Sequence, residues 1–385
     1  MKECNKKLFA GALSLVIFFS LAACSVNRKQ NDVINYDSNN ISEKNGVFMI
    51  GSDIAESENG YYFMSMSSNW KKKFIAYYDK NSNESSVLCT KINCNHSLED
   101  VDTECDAYVD GEIVFDSLYY NEGYLYFIKR NKSNYMCTLC RVSADGSEHE
   151  IICDLKETPD AGNFYFSYVV IGKYIYCSTA ISDTENETTA LIEKINLETR
   201  TRDIIYSFTS VGAEIVELSY HDNKLYFRQS ESADILLSDL CSYDINTEVC
   251  KKISDDICSY IFFDDKLIYW KSYDGIYEET SKGDVNKIYE VEEDTVKGSL
   301  VYNGSNIYVL NFYSATEEGP FIGLLKNGEI EDRFYCFENG TYVPIYLTND
   351  RIFALSLSPE GEYYAFFLLD EEGKIKDIVR TDIIG

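Results

Sequence analysis

The stretch HDNKLYFRQS, residues 221–230, joins a polar turn to a short run rich in apolar and aromatic side chains. The same arrangement recurs along the chain. Asn59-Gly60 precedes Tyr61-Tyr62-Phe63, Glu122-Gly123 precedes Tyr124-Leu125-Tyr126-Phe127, and Gly172-Lys173 precedes Tyr174-Ile175-Tyr176. After Asn223-Lys224 comes Leu225-Tyr226-Phe227, and after Asp264-Asp265-Lys266 comes Leu267-Ile268-Tyr269-Trp270. Asn303-Gly304-Ser305 before Ile307-Tyr308-Val309 and Asn349-Asp350 before Ile352-Phe353-Ala354 complete the series. Counted at Tyr62, Tyr126, Tyr176, Tyr226, Tyr269, Tyr308 and Phe353, the intervals are 64, 50, 50, 43, 39 and 45 residues.

A second landmark follows each of these strands, an apolar run that enters an Asp-, Asn- or Gly-rich turn and leaves as another strand, which is the pattern of a hairpin. These turns are Asp79-Lys80-Asn81, Ala144-Asp145-Gly146, Asn196-Leu197-Glu198-Thr199 and Asp244-Ile245-Asn246-Thr247, then Lys282-Gly283-Asp284, Lys326-Asn327-Gly328 and Glu371-Glu372-Gly373. Two landmarks in fixed order at this period predict four-stranded units of the kind that build a propeller. The expected fold is all-β: a single β-propeller over residues 46–385, with seven blades of four antiparallel strands. In the fourth unit the strands are expected at about 213–220, 224–229, 236–244 and 248–253. A strand at Val47 completes either the first blade or the last. Thirty-two Tyr and 21 Phe against 4 Pro suit strands, and no long segment has helical apolar spacing.

The N-terminus reads as an export signal, residues 1–23. Lys2, Lys6 and Lys7 are followed by a nearly unbroken apolar run from Leu8 to Leu21, shorter than the roughly 20 residues that span a bilayer. Residues 24–45, rich in Asn, Ser, Asp and Lys, read as a flexible tether. Without residues 1–23, which carry three Lys and one Glu, the formal charge goes from −29 to −31. Such a charge, with no long basic run, disfavours binding of nucleic acid or anionic lipid by the domain itself.

One insertion, CTKINCNHSLEDVDTECDAY at about 89–108, lengthens the first interval and gathers Cys89, Cys94, His96 and Cys105. Three thiols and an imidazole can supply a closed tetrahedral zinc site. In an exported protein the same thiols can form disulfides instead. Either role is structural, because a site with four protein ligands leaves no open position for a substrate. Cys137 and Cys140 fall inside a strand, where residues three apart face opposite ways. A two-residue turn at Ile245-Asn246 would set Cys241 and Cys250 opposite each other across a hairpin, which makes them a candidate disulfide. No nucleophile elbow or phosphate loop occurs, and the three His, His96, His149 and His221, are scattered.

Leu21-Ala22-Ala23-Cys24 resembles the lipobox of bacterial lipoproteins, with Cys24 the lipidated residue. With the repeated units, the chain resembles bacterial lipoproteins that carry a TolB-like or WD40-like β-propeller. It lacks the Gly-His and Trp-Asp dipeptides of WD40 proper and the separate N-terminal domain of TolB. The resemblance implies lipid anchoring on the extracytoplasmic face of the cell membrane and no particular activity, since propellers host many functions. The expected function is a binding module for an extracellular protein, peptide or glycan. The alternative is a polysaccharide-processing enzyme using carboxylates at the channel mouth.

Overall fold

The computed structural model describes residues 54–381, except 67–72, 83, 95, 97–104, 111, 114–117, 132–135, 158–166, 183–186, 233–237, 292–297, 303–304, 312–320, 336–341, 348–350, 359–360 and 370–372. Cys24, the 1–23 leader, the 24–45 tether and the strand expected at Val47 lie outside the described residues. The described residues contain strands and turns and no helix.

Each landmark strand of the sequence is the second strand of a sheet-forming unit. They are Gly60–Met66, Tyr124–Arg130, Tyr174–Ser182, Lys224–Ser230, Lys266–Lys271, Ile307–Asn311 and Arg351–Ser358. The turn before the strand is built by local backbone geometry. Glu122 and Gly123, Asp222 and Asn223, and Asp264 and Asp265 all have positive φ at both positions, the geometry of a type I′ hairpin turn, whose twist matches the strands it joins. Three of the turns between third and fourth strands are headed by Asp or Asn, at Asp79, Asn196 and Asp244. Asp79 Oδ1 accepts the amides of Asn81 and Ser82 at 2.8 and 2.9 Å. Asn196 Oδ1 accepts those of Glu198 and Thr199 at 2.9 and 3.0 Å, so the side chain closes the turn before the backbone does.

Among the described residues there are six antiparallel sheets, with four, five, four, seven, four and four strands in chain order. This differs in two places from seven separate sheets of four. In the second sheet the first strand is broken into Glu112–Ile113 and Tyr119–Asn121, which both pair with the same edge of Tyr124–Arg130. In the seven-stranded sheet, the strand expected to end near residue 253 runs on as Val249–Phe263, pairing Ser238–Asp244 with its first part and Lys266–Lys271 with its second. The run is continuous because Asp255-Asp256 makes a bulge and not a turn. Asp256 has φ +57°, and the pairing register slips on both sides of it, which bends a strand without ending it.

Consecutive sheets face each other through apolar clusters. Tyr62, Met64 and Ile75 of the first sheet meet Leu125, Phe127 and Val142 of the second. Ile128, Leu139 and Leu155 of the second meet Tyr168, Val170, Ile175 and Ile195 of the third. Ile268 and Trp270 meet Leu300 and Val309 of the next sheet along, and each such side chain contributes about 1.5–3 kcal/mol through burial. Cys137 belongs to one of these clusters and Cys140 to the other, on opposite faces of strand Met136–Ser143.

The seven-stranded sheet folds back on itself. His221, on its first strand, stacks on Phe262, on its fourth, with ring centroids 4.1 Å apart. The Tyr260 hydroxyl, also on the fourth strand, lies 2.9 Å from Ser219 Oγ and donates toward Tyr226 O at 2.8 Å. In a flat sheet the first and fourth strands are about 14 Å apart, so these contacts require the bend at Asp255-Asp256.

Candidate metal centre

The insertion hangs from one residue of the first sheet. Strand Glu84–Val87 pairs with the end of Lys73–Asp79 as far as Ala76↔Val87. Beyond that point the edge of Lys73–Asp79 is taken up by the two ends of the insertion. Leu88 donates its amide to Ile75 O at 2.9 Å, and the Ile75 amide donates to Ala107 O at 2.9 Å. Phe74 and Tyr108 form an antiparallel bridge. Because Leu88 and Ala107 bond the same residue, Cys89 and Cys105, sixteen positions apart, are brought side by side.

Cys94 and His96 complete the group. One ligand atom from each of Cys89, Cys94, His96 and Cys105 lies within 4.8 Å of every other. A tetrahedral zinc with bonds of about 2.0–2.3 Å needs its ligand atoms roughly 3.5–3.8 Å apart, so small side-chain rotations close the site. The apolar wall is Phe74, with Val87, Ala107 and Tyr108 around the cysteines. The imidazole of His96 meets the Phe74 ring edge-on at 6.5 Å.

The thiols differ in their surroundings. Burial raises the Cys89 thiol, but hydrogen bonds from His96, the Lys91 amide, Cys105 and the Asp106 amide outweigh it and bring the group down to about 7. Burial dominates at Cys105, where the thiol is pushed up to about 12 despite a hydrogen bond from the Ala107 amide. Cys89 and Cys105 thus each receive the amide two residues onward, an arrangement that supports a thiolate ligand by charge-assisted hydrogen bonding. Behind them, Asp106 accepts Thr90 Oγ1 at 2.8 Å and meets Lys91 Nζ at 3.3 Å.

These residues fit a metal ion better than a disulfide. His96 Nε2 is buried without a hydrogen-bond partner, which is costly unless something satisfies it. A disulfide between any two of the three thiols would leave the third outside the bond and would give His96 Nε2 no partner. A metal uses all four. With four protein ligands the centre would be closed, suited to holding structure and not to activating water.

The second thiol pair is arranged differently from the sequence expectation. The turn after Ser238–Asp244 holds four residues, since Asp244 pairs with Val249. Asp244 Oδ1 accepts the amides of Asn246 and Thr247, the Glu248 amide donates to Asp244 O, and Glu248 takes φ +59°. The two added residues shift the register, so Cys241 opposes Lys252 and Cys250 opposes Tyr243. Cys241 and Cys250 are therefore diagonal neighbours on one face, as free thiols, and not directly opposite. Of the remaining histidines, His149 Nε2 lies 3.2 Å from Gly146 O and His221 stacks on Phe262. The sequence did not point to Ile75, Phe74 or Tyr108, whose part in the centre depends on pairing across the first sheet.

No family model and no curated protein matches the chain. Among solved structures, an acylaminoacyl peptidase in complex with Z-Gly-Gly-Phe-chloromethyl ketone is similar at a TM-score of 0.50 and 12% identity, over 83% of this chain and 50% of that one. The β-propeller domain of the trilobed protease from Pyrococcus furiosus is similar at 0.47 and 10% identity, over 84% and 93%. TolB from Acinetobacter baumannii follows at 0.41 and 14%, over 86% and 78%. The chain is all-β, with its antiparallel sheets in a propeller-like succession. It spans about half the length of the peptidase, and at these identities the likeness concerns the fold alone.

Proposed function

We propose that this chain is a lipid-anchored, extracytoplasmic lipoprotein whose propeller has seven blades and serves as a binding module for an extracellular protein, peptide or glycan. The seven-blade count treats the seven-stranded sheet as two blades sharing Val249–Phe263. The burial of that strand supports the division, since residues 249–256 are exposed or half-buried and residues 257–261 are all buried. Its first part behaves as an outer fourth strand and its second as an inner first strand. The contacts of His221 with Phe262 and of Ser219 with Tyr260 support the same division.

The observation that carries the binding reading is the difference between the two ends of the sheets. Connections from first to second strand and from third to fourth are short, for example 122–123, 172–173, 222–223, 264–265 and 327–328. Those from second to third and from one unit to the next leave from the opposite end; they are short at 211–213, 272–274 and 359–360, and the longest connections of the chain, 67–72, 88–111, 158–167, 231–237 and 312–320, are all among them. Long, variable connections gathered on one end of a rigid scaffold are where recognition residues reside. The Cys/His insertion is one of them, and a zinc ion in it would fix its two ends to the first blade. A mature charge of −31 favours a partner with a basic patch and an association rate that falls as salt rises.

The test is a screen of the purified mature protein against cell-wall glycans, polysaccharides and extracellular proteins, with release of sugar or peptide products followed in parallel. Saturable binding that is lost on substitution within 231–237 or 312–320, and kept on substitution of the tight turns, supports the reading. Turnover of a screened compound, or binding lost only through the tight turns, overturns it.

A further inference from the structure

Cys241 and Cys250 lie at the seam between the third sheet and the next. Phe227, paired directly with Cys241, packs against Tyr206 of the third sheet with centroids 5.4 Å apart, and Tyr206 also approaches Tyr243 at 6.3 Å. The Tyr206 hydroxyl donates to Gln229 Oε1 at 2.6 Å, and the Cys250 thiol lies within interaction range of that hydroxyl and of the Cys241 thiol. Cys241 is buried at 4% exposure, whereas Cys250 is half-buried and the more accessible of the two. Beside the pair, Lys252 pairs with Asp239 at 2.8 Å.

We propose that Cys241 and Cys250 form a reversible dithiol–disulfide couple, with Cys250 the attacking thiol and Cys241 the resolving one. The reading stands independently of the binding function and of the metal centre. Reactive cysteines of this kind are exposed thiolates set next to a second thiol. The environment agrees with that division of roles. The hydrogen bond from Cys241 outweighs burial and, with the neighbouring Tyr206 hydroxyl and the Lys251 amide, lowers Cys250 to about 7. Cys241 is raised, first by its bond to Cys250 and then by burial.

The co-reactant is a small-molecule disulfide. The Cys250 thiolate attacks one of its sulfurs, forming a mixed disulfide and expelling one thiolate. Cys241 gives up its proton, attacks Cys250 Sγ and expels the second. Two protein thiols are oxidised and one disulfide is reduced to two thiols. Diagonal positions place Cα atoms about 7–8 Å apart, just beyond what a disulfide spans unaided, so the two strands must shift slightly toward each other to close it. The bond is accordingly strained and readily reduced, unlike a permanent staple, and forming it draws Cys250 away from Tyr206 at the seam.

The experiment exposes the mature protein to oxidised glutathione at fixed pH, stops the reaction with acid and maps cysteine adducts by mass spectrometry. Cys250 is expected to react roughly fivefold or more faster than Cys153, and the wild type to pass to a Cys241–Cys250 disulfide that reduced glutathione reverses. Cys241→Ser should instead accumulate the glutathione adduct at Cys250. Circular dichroism of that variant establishes that it is folded, and the wild-type kinetics stand as a test by themselves. A stable Cys250 adduct in the wild type, or reaction at Cys250 no faster than at Cys153, overturns the proposal.

Discussion

The Arg228 guanidinium grips the Glu217 carboxylate with two hydrogen bonds of 2.8 Å, Nε to Oε2 and Nη2 to Oε1. Its third nitrogen, Nη1, donates to Ile257 O at 3.1 Å. Arg228 is 7% exposed, and Glu217 sits at φ +54° in the bulge between Val216 and Ser219. The pair therefore ties the first two strands of the seven-stranded sheet to the point where Val249–Phe263 turns inward. Removing one partner strands a buried charge, so Glu217→Ala should cost about 3–5 kcal/mol in urea unfolding. A loss below about 1 kcal/mol would mean that the pair does not hold the fold.

Gly298 makes a second packing prediction. A Cβ there would lie 2.3 Å from Trp270 Cζ3 and 2.5 Å from Leu310 O, and Trp270 has 0% exposure. Gly298→Ala should destabilise by roughly 1–3 kcal/mol, and Trp270→Phe in the same chain should recover part of that loss.

Glu214 gives a pH dependence. Its Oε2 is buried with no hydrogen-bond partner, and burial pushes the carboxyl up to about 7. Because the folded protein holds this proton above the pH at which the unfolded chain releases it, the contribution is full below about pH 4.5 and fades as pH rises to about 7. Glu214→Gln should flatten the stability profile over that window, with a gain at pH 8 on the order of 1–2 kcal/mol after allowance for partial exposure. An unchanged profile would contradict it.

The proposed lipid anchor is tested by metabolic labelling with a fatty acid. Label should enter the wild type and be absent from Cys24→Ala, with the variant moving from the membrane fraction to the medium. Persistent labelling of the variant would remove the assignment.

Much of the fold was legible in the sequence because its signals are local. Asp222-Asn223 and Asp264-Asp265 announce type I′ turns, and Asp79, Asn196 and Asp244 announce side-chain-headed ones. The passage through Asp255-Asp256 was not, since two carboxylates between apolar runs look the same whether the chain turns or bulges. Nor was the register of Cys241 and Cys250, which depends on a non-glycine residue, Glu248, at positive φ. The four candidate ligands of the insertion could be named from their types, but their convergence rests on Leu88 and Ala107 both bonding Ile75, a relation that spacing does not carry.

Metal analysis of the purified, reduced mature protein tests the four-ligand centre most directly. The expected result is close to one equivalent of zinc, lost in Cys94→Ser together with a fall in thermal stability that added zinc reverses only in the wild type. Protein that carries no metal, takes up none from added zinc, and shows a disulfide among Cys89, Cys94 and Cys105 would contradict it.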